Sequence, residues 1–340
     1  MKKLKIVIIA IASVCFVAAA TLFLLLRVNK LSNTSEEVIF IPSQATYDDI
    51  VDSLTTHHCI GNTAIFNTLS RLRGYRNHVK GGCYKLQPHM PTWNALTKLY
   101  RGNQDPIRLT INKHRTVGSL CRYIGSRLEV DSSTLAAMLA DDSICASYGY
   151  NTSTVIGMFV QNTYDVYWNT SASRLLDRMD KESRRFWNDK RLKQCQQLGL
   201  TKDQVITLAS IVEEETNKND EKADIASVYL NRLRKGMLLQ ADPTLKYAVG
   251  DFTLRRILNK HMDTDSPYNT YKHTGLPPGP ICIPSAASIG AVLENKQTEY
   301  LYFCAKADFS GRHTFATTLK QHNANAAAFH SEMNRRKIYK

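Results

Sequence analysis

The stretch from Thr201 to Gly236, TKDQVITLASIVEEETNKNDEKADIASVYLNRLRKG, constrains this chain more than any other. It reads as two helices joined by a polar turn. Three consecutive acids, Glu213, Glu214 and Glu215, close the first, otherwise apolar helix. Thr201 and Gln204 form a capping box, in which each side chain takes the other's backbone N–H. Leu200 and Val205 stand where a hydrophobic staple would pack. At ~100° per residue, Val205, Leu208, Ala209 and Val212 make one apolar stripe. Glu214 falls opposite the stripe and is expected in solvent. Glu213 and Glu215 border it, about 80° to either side, and both are expected to be half-buried. Burial disfavours the charged carboxylate, and the dipole at a helix C-terminus pushes the same way. A carboxyl group with a raised pKa is what a general acid needs near neutral pH. The plainer reading is a solvated acid cluster, and periodicity does not choose between Glu213 and Glu215. The second helix opens at Asp220 or Glu221. It buries Ala223, Ala226, Tyr229, Leu230 and Leu233, and stops at Gly236.

The N-terminus bears on the compartment. Lys2, Lys3 and Lys5 precede an uncharged run from Ile6 to Leu26, closed by Arg27 and Lys30. That is about the ~20 residues a helix needs to cross a bilayer. A cleaved signal peptide would have a shorter apolar core and a small-residue cleavage site. Ala18-Ala19-Ala20 offers such a site, but the apolar run continues through Leu22 to Leu26, which favours an uncleaved anchor. The leading lysines place the tip in the cytoplasm and the rest of the chain outside it. The net charge of +14 over 340 residues implies an anionic partner or surface. The basic residues are spread along the chain without a basic tail, so nucleic acid is not expected. No pair of the eight cysteines has the C-x-x-C spacing of a zinc or redox site. They are expected as small buried hydrophobes, with no metal, cofactor or particular bridge.

After a polar linker (31–37), short strands and helices alternate. Val38–Ile41 is strand-like, helices begin near Thr46 and Thr63, and Gly81-Gly82 turns into a strand. Thr92 caps a helix that ends at Gly102, and Ile107–Ile111 is a further strand. This α+β pattern over 38–112 is similar to small glycan-binding modules of the LysM kind. From Ser132 to Met179 the pattern is helical, interrupted by an aromatic loop at 157–168 that suits either core or a sugar-stacking platform. Ser171–Gln197 reads as one charged helix. The proline-dense segment from Ser266 to Ser285 excludes helix and central strand. It makes either a wall for a polar ligand or a structural crossing. A strand at 300–305 and a final helix from Thr318 close the chain.

These pieces together resemble the YceG-like (MltG) family of endolytic murein transglycosylases. In family order they are Lys80-Gly81-Gly82-Cys83-Tyr84, Asn162-Thr163-Tyr164, Leu208 to Thr216, Val228 to Leu233 and Leu239-Gln240-Ala241-Asp242-Pro243-Thr244. Tyr268-Asn269-Thr270-Tyr271, Gly275 to Ile281, Tyr300 to Phe303 and His313-Thr314-Phe315 complete the set. The chain departs from the family at Gln161-Asn162, where Pro-Asp is frequent. The resemblance implies an α+β fold in four parts. These are a cytoplasmic tip and transmembrane anchor (1–30), a linker (31–37), a LysM-like subdomain (38–112) and a catalytic domain (113–340). It implies cleavage of the MurNAc–GlcNAc bond within peptidoglycan strands, leaving 1,6-anhydroMurNAc ends and terminating or trimming nascent strands. Through the family's E-x-E-T motif it makes Glu215 the catalytic acid and Glu213 its helper or structural partner. Gln240, Asp242, Tyr268, Asn269 and Tyr271 are the groove candidates. The implied setting is the cytoplasmic membrane, single-pass, with the catalytic part outside and peptidoglycan synthases as neighbours. The alternatives are a lysozyme-type muramidase and a non-catalytic wall-binding scaffold.

Overall fold

The computed structural model describes residues 2–254 and 257–336, apart from the side chains of residues 2–4, 22, 25, 27 and 259. Met1 and residues 337–340, which the expected domain limits include, lie outside the described residues. So do the side chains of Lys2 and Lys3, named above as the tip's charges. The chain divides into two compact units. One comprises residues up to Leu109 with two short returns, 127–130 and 165–171; the other comprises 110–126, 131–164 and the chain from Ala172.

The first unit begins with helix α1 (Lys2–Val28). Its apolar side chains from Ile6 to Val17 are largely exposed. Counted over the described residues, no helix is long and apolar enough to cross a membrane. After α1 the order is β1 (Glu37–Ile41), α2 (Tyr47–Thr56), α3 (Thr63–Arg73), β2 (Gly82–Leu86), α4 (Thr92–Arg101) and β3 (Ile107–Ile111). β1 and β2 pair antiparallel, from Glu37 opposite Leu86 to Ile41 opposite Gly82, with α2 and α3 between them in sequence. The alternating inward residues Ile39, Ile41, Tyr84 and Leu86 meet Ile50, Leu54, Phe66, Leu69 and Leu96 in one buried cluster. α4 is not capped by Thr92: Pro91 holds the N-cap position and Thr92 is the first helical residue. The two returns join this unit through contacts between residues distant in sequence. Ser43 bonds Glu129 through its backbone N–H and its hydroxyl, each at 2.6 Å. Phe40 packs on Trp168 with ring centroids 5.3 Å apart.

The second unit carries α5 (Val117–Gly125), α6 (Ser132–Leu139), α7 (Asp142–Ser147), the first three residues of β4 (Asn162–Val166), α8 (Ala172–Phe186) and α9 (Asp189–Leu198). The aromatic loop therefore contains a strand, and most of it is core: Met158, Phe159, Tyr164 and Val166 are buried. The expected single helix at Ser171–Gln197 is two helices. Asn188 accepts the Arg191 N–H and caps a new start, because an Asn in extended backbone serves N-terminal amides better than a helix interior.

Next come α10 (Lys202–Glu215), α11 (Lys222–Arg234), α12 (Asp242–Val249), α13 (Asn259–Met262) and α14 (Ala286–Glu294). β5 (Tyr302–Ala305) and β6 (His313–Ala316) pair antiparallel, and α15 (Leu319–Arg335) ends the unit. α10 is the central helix. Its predicted capping box is present, but its apolar surface is no stripe. Every residue from Val205 to Val212 is buried, because α9, α11, α12 and α14 pack around it. The proline-dense segment is a structural crossing in its second half, where Ile281, Cys282 and Ile283 are buried. The Ile281 N–H donates to Ser210 Oγ at 3.0 Å. At Gly279 a Cβ would lie 2.1 Å from the Ser153 carbonyl oxygen, so only glycine fits. All eight cysteines are free thiols, six of them buried.

Candidate active site

The three glutamates at the end of α10 point to three different places. Glu213 turns toward the start of α14. It accepts hydrogen bonds from Lys222 Nζ at 2.9 Å, from the Ser285 hydroxyl at 2.5 Å and from the Ser288 hydroxyl. Burial alone would raise its pKa, but the two hydroxyls and the Lys222 ammonium outweigh burial and hold it below its ordinary value. Lys222 is itself buried, so the pair is an internal ion pair tying α10, α11 and α14 together. The expectation of a raised pKa at Glu213 fails because these partners converge on it.

Glu214 does not face solvent. Arg115 grips it through two nitrogens, at 3.1 and 2.7 Å, and Lys113 Nζ lies 3.2 Å away. The helical wheel omits these cations because they arrive from about a hundred positions earlier in the chain.

Glu215 faces a cavity of about 320 Å³ lined by Tyr229, Arg232, Leu239, Gln240, Asp242, Tyr271, Phe303 and His322. The Tyr229 hydroxyl donates to Glu215 Oε1 at 2.5 Å. Desolvation dominates this carboxyl group and pushes its pKa up to about 7. The Tyr229 bond and Lys246 oppose the rise, while Asp242 and Glu214 add to it. The helix ends here because Thr216 leaves helical backbone, at φ −147° and ψ 142°.

The wall opposite is built by the two motifs around 240 and 270. Gln240 sits at φ 50°, a left-handed conformation that costs a non-glycine residue free energy unless the surroundings enforce it. Here Gln240 N–H donates to the Thr270 carbonyl at 3.1 Å, and Ala241 N–H donates to Thr270 Oγ1 at 3.0 Å. Thr244 and Thr270 join through their hydroxyls at 2.8 Å, both fully buried. Pro243 then occupies the first turn of α12, where its missing N–H costs nothing. The turn presents Asp242, whose Oδ1 accepts from the Tyr271 hydroxyl.

Of the predicted groove residues, Gln240, Asp242 and Tyr271 line the cavity with Glu215, and Tyr268 and Asn269 do not. Tyr268 packs tilted on Tyr247, ring centroids 4.7 Å apart, against the core. Asn269 is fully buried, and its amide donates to the Met262 and Thr264 carbonyls at 2.9 and 2.8 Å. Both hold the loop that delivers Tyr271. Glu213 also lies outside the cavity lining. Sequence reasoning assigned Tyr229 to the core and passed over Arg232, Phe303 and His322. The one available signal was a tyrosine within the apolar face of α11, since a buried Tyr hydroxyl needs a partner. Arg232 is fixed by the Leu301, Leu238 and Leu239 carbonyls at 2.7, 3.2 and 2.9 Å. Gln161 donates to the Ile283 carbonyl at 2.7 Å, and Asn162 is exposed. Among the described residues, no group of three His, Cys, Asp or Glu side chains is placed to hold a metal ion.

Fold and site together define an α+β protein with a desolvated glutamate of raised pKa at the edge of a polar cavity. The chain belongs to the YceG-like family, whose model matches residues 39–328. It is 46% identical over 130 residues to the endolytic murein transglycosylase of Bacillus subtilis, covering 38% of this chain and 35% of that protein. To the endolytic murein transglycosylase of Streptococcus pneumoniae it is 28% identical over 322 residues, 84% of this chain and 57% of that protein. The chain thus spans between about a third and somewhat over half of the length of these relatives. A crystal structure of a yceG-like protein from Listeria monocytogenes matches with a TM-score of 0.58 at 29% identity, covering 86% of this chain and 99% of that one.

Proposed function

We propose that this chain is an endolytic lytic transglycosylase of peptidoglycan with Glu215 as its acid. The observation that carries the reading is the protonatable Glu215 carboxyl group at a cavity large enough for sugar units. Glu215 protonates the glycosidic oxygen between MurNAc and GlcNAc as the C1–O bond breaks. The resulting carboxylate then takes the proton of the same MurNAc residue's C6 hydroxyl, whose oxygen closes on C1. The products are a 1,6-anhydro end, a free GlcNAc 4-hydroxyl and a reprotonated Glu215. Because the nucleophile belongs to the substrate, the pair of carboxylates used by ordinary glycosidases is not required. A pKa near the working pH suits a group that must first give and then take a proton.

In this reading Gln240, Asp242 and Tyr271 contact the glycan. Tyr268 and Asn269 position Tyr271, and Glu213 positions Glu215 by fixing the end of α10. The test is mass spectrometry of uncrosslinked glycan strands after incubation with the purified protein. Anhydro-ended fragments from wild type and none from Glu215→Gln are expected. Reducing-ended products would instead select hydrolysis, and strand retention without shortening would select a scaffold.

The same reading assigns residues 38–112 to a LysM-like module, supported by the β-α-α-β order and the antiparallel β1–β2 pair. It assigns α1 to a single-pass anchor in the cytoplasmic membrane, with the cavity on the outer side beside peptidoglycan synthases. The support is the uncharged run from Ile6 to Leu26 and the exposed apolar side chains between Ile6 and Val17. Recovery of the full chain in the carbonate-washed membrane fraction is expected, and recovery in the wash would overturn the anchor.

A further inference from the structure

His322 lies in the first turn of α15, where a capping box between Thr318 and Gln321 fixes the helix start. It lines the same cavity as Glu215, and its ring stacks on Tyr302 at 5.4 Å between centroids and 25° between planes. The other polar side chains of the cavity each have a partner in the protein. Tyr229 bonds Glu215, Tyr271 bonds Asp242, and Arg232 bonds backbone carbonyls and Gln240 Oε1. His322 has no side-chain hydrogen bond among the described residues. Its Nδ1 is closed off from solvent and has no partner.

That occlusion selects the tautomer. An N–H at Nδ1 would be a buried donor without an acceptor, a costlier arrangement than an unpaired ring lone pair at the same place, which favours the proton on Nε2. Protonating the whole ring would place a second N–H on the same partnerless atom, close to the Arg232 charge. Burial first, and Arg232 second, hold the pKa below its ordinary value. His322 is therefore neutral at pH 7, and Nε2–H is its one free donor.

We propose that His322 is a substrate-contacting residue of the Glu215 cavity, donating its Nε2–H to a hydroxyl or acetamido oxygen of the bound glycan. This rests on the reading of the cavity as a glycan site. A neutral donor suits an uncharged sugar oxygen and does not compete with Glu215 for the catalytic proton.

The experiment compares wild type with His322→Phe, His322→Gln and His322→Asn on uncrosslinked glycan strands. Phe keeps a ring on Tyr302 and removes the donor. The Gln amide nitrogen reaches the place of Nε2, and that of Asn reaches only the place of Nδ1. His322→Phe should lower kcat/KM roughly tenfold, the loss of about one hydrogen bond, with a melting temperature like that of wild type. Gln should restore most of the loss and Asn should not. His322→Phe within twofold of wild type, or rescue by Asn equal to that by Gln, overturns the proposal. A second arm measures retention of the same strands by Glu215→Gln with and without His322→Phe. Weaker retention with His322→Phe supports the contact, and equal retention overturns it, whatever the cleavage arm shows. Wild type without cleavage would count against Glu215 and leave the retention arm to judge His322.

Discussion

Glu213 and Glu215 stand two residues apart at the end of one helix, and their pKa values are shifted in opposite directions. Burial by itself would raise both. Glu213 receives an ammonium and two serine hydroxyls, and stays a carboxylate. Glu215 is dominated by desolvation; the Tyr229 phenol and the Lys246 charge favour its carboxylate, Asp242 and Glu214 work against it, and its pKa is pushed up to about 7. Position on the helix is nearly equivalent for the two; what differs is what the neighbouring elements bring to each. The same distinction separates a residue that holds the site together from one that can move a proton.

The largest expected effect comes from Glu215→Gln. On the proposed role of Glu215, this removes the general acid and should lower kcat by about a thousandfold, within the usual range for such a group, as measured by release of anhydro-ended fragments. The pH dependence of stability should change as well. Between the ordinary pKa of 4.5 and the folded value of about 7, folded Glu215 keeps a proton that the unfolded chain has released. Wild type therefore loses stability as pH rises through that window. Urea titrations of Glu215→Gln should lack this slope, and its persistence would refute the raised pKa.

Glu213→Ala should act on the fold instead. It leaves the Lys222 ammonium buried without its carboxylate, which costs about 3 kcal/mol by the precedent of broken internal pairs. Adding Lys222→Met should recover much of the loss in urea unfolding. The linkage has the opposite sign here: Glu213 stabilises above its unfolded pKa, and that stability is lost as pH falls through its lowered folded value. If Glu213→Ala kept full stability and lost only activity, the division of labour between the two acids would be wrong.

Thr270→Val removes the acceptor of the Ala241 N–H and the partner of Thr244. A stability loss of about 1–2 kcal/mol is expected, with a rise in KM because Gln240 and Asp242 ride on that turn. The smallest effect belongs to Tyr229→Phe. Its hydroxyl stabilises the carboxylate form of Glu215, so its loss should raise the pKa further. The high-pH limb of the rate profile should move upward, with kcat changed only a few-fold. A downward shift would show that the phenol stabilises the protonated form instead.

Much of the frame was legible because it depends on neighbours in sequence. The capping box of α10, the stop at Gly102 and the helix–turn–helix from Thr201 to Gly236 follow from local hydrogen bonding and apolar spacing. The break at Asn188 was legible in kind, as an Asn capping residue, but the charged pattern continues across it. The solvated Glu214 was misread because the wheel assumes one buried side. The turn at Gln240 was marked by its motif, yet its left-handed backbone depends on Thr270, thirty residues on.

The sequence by itself determined where the helices start and stop, which segments are too proline-rich to be regular, and which stretch carries the acids. Those properties rest on interactions within a few residues. The pKa shifts of Glu213 and Glu215, the wall facing Glu215 and the entry of His322 were decided only by tertiary structure. A pKa depends on which dipoles and charges lie within a few ångströms. For Glu213 those groups come from Lys222, Ser285 and Ser288, and for Glu215 from Tyr229 and Asp242, all beyond the end of α10 in sequence.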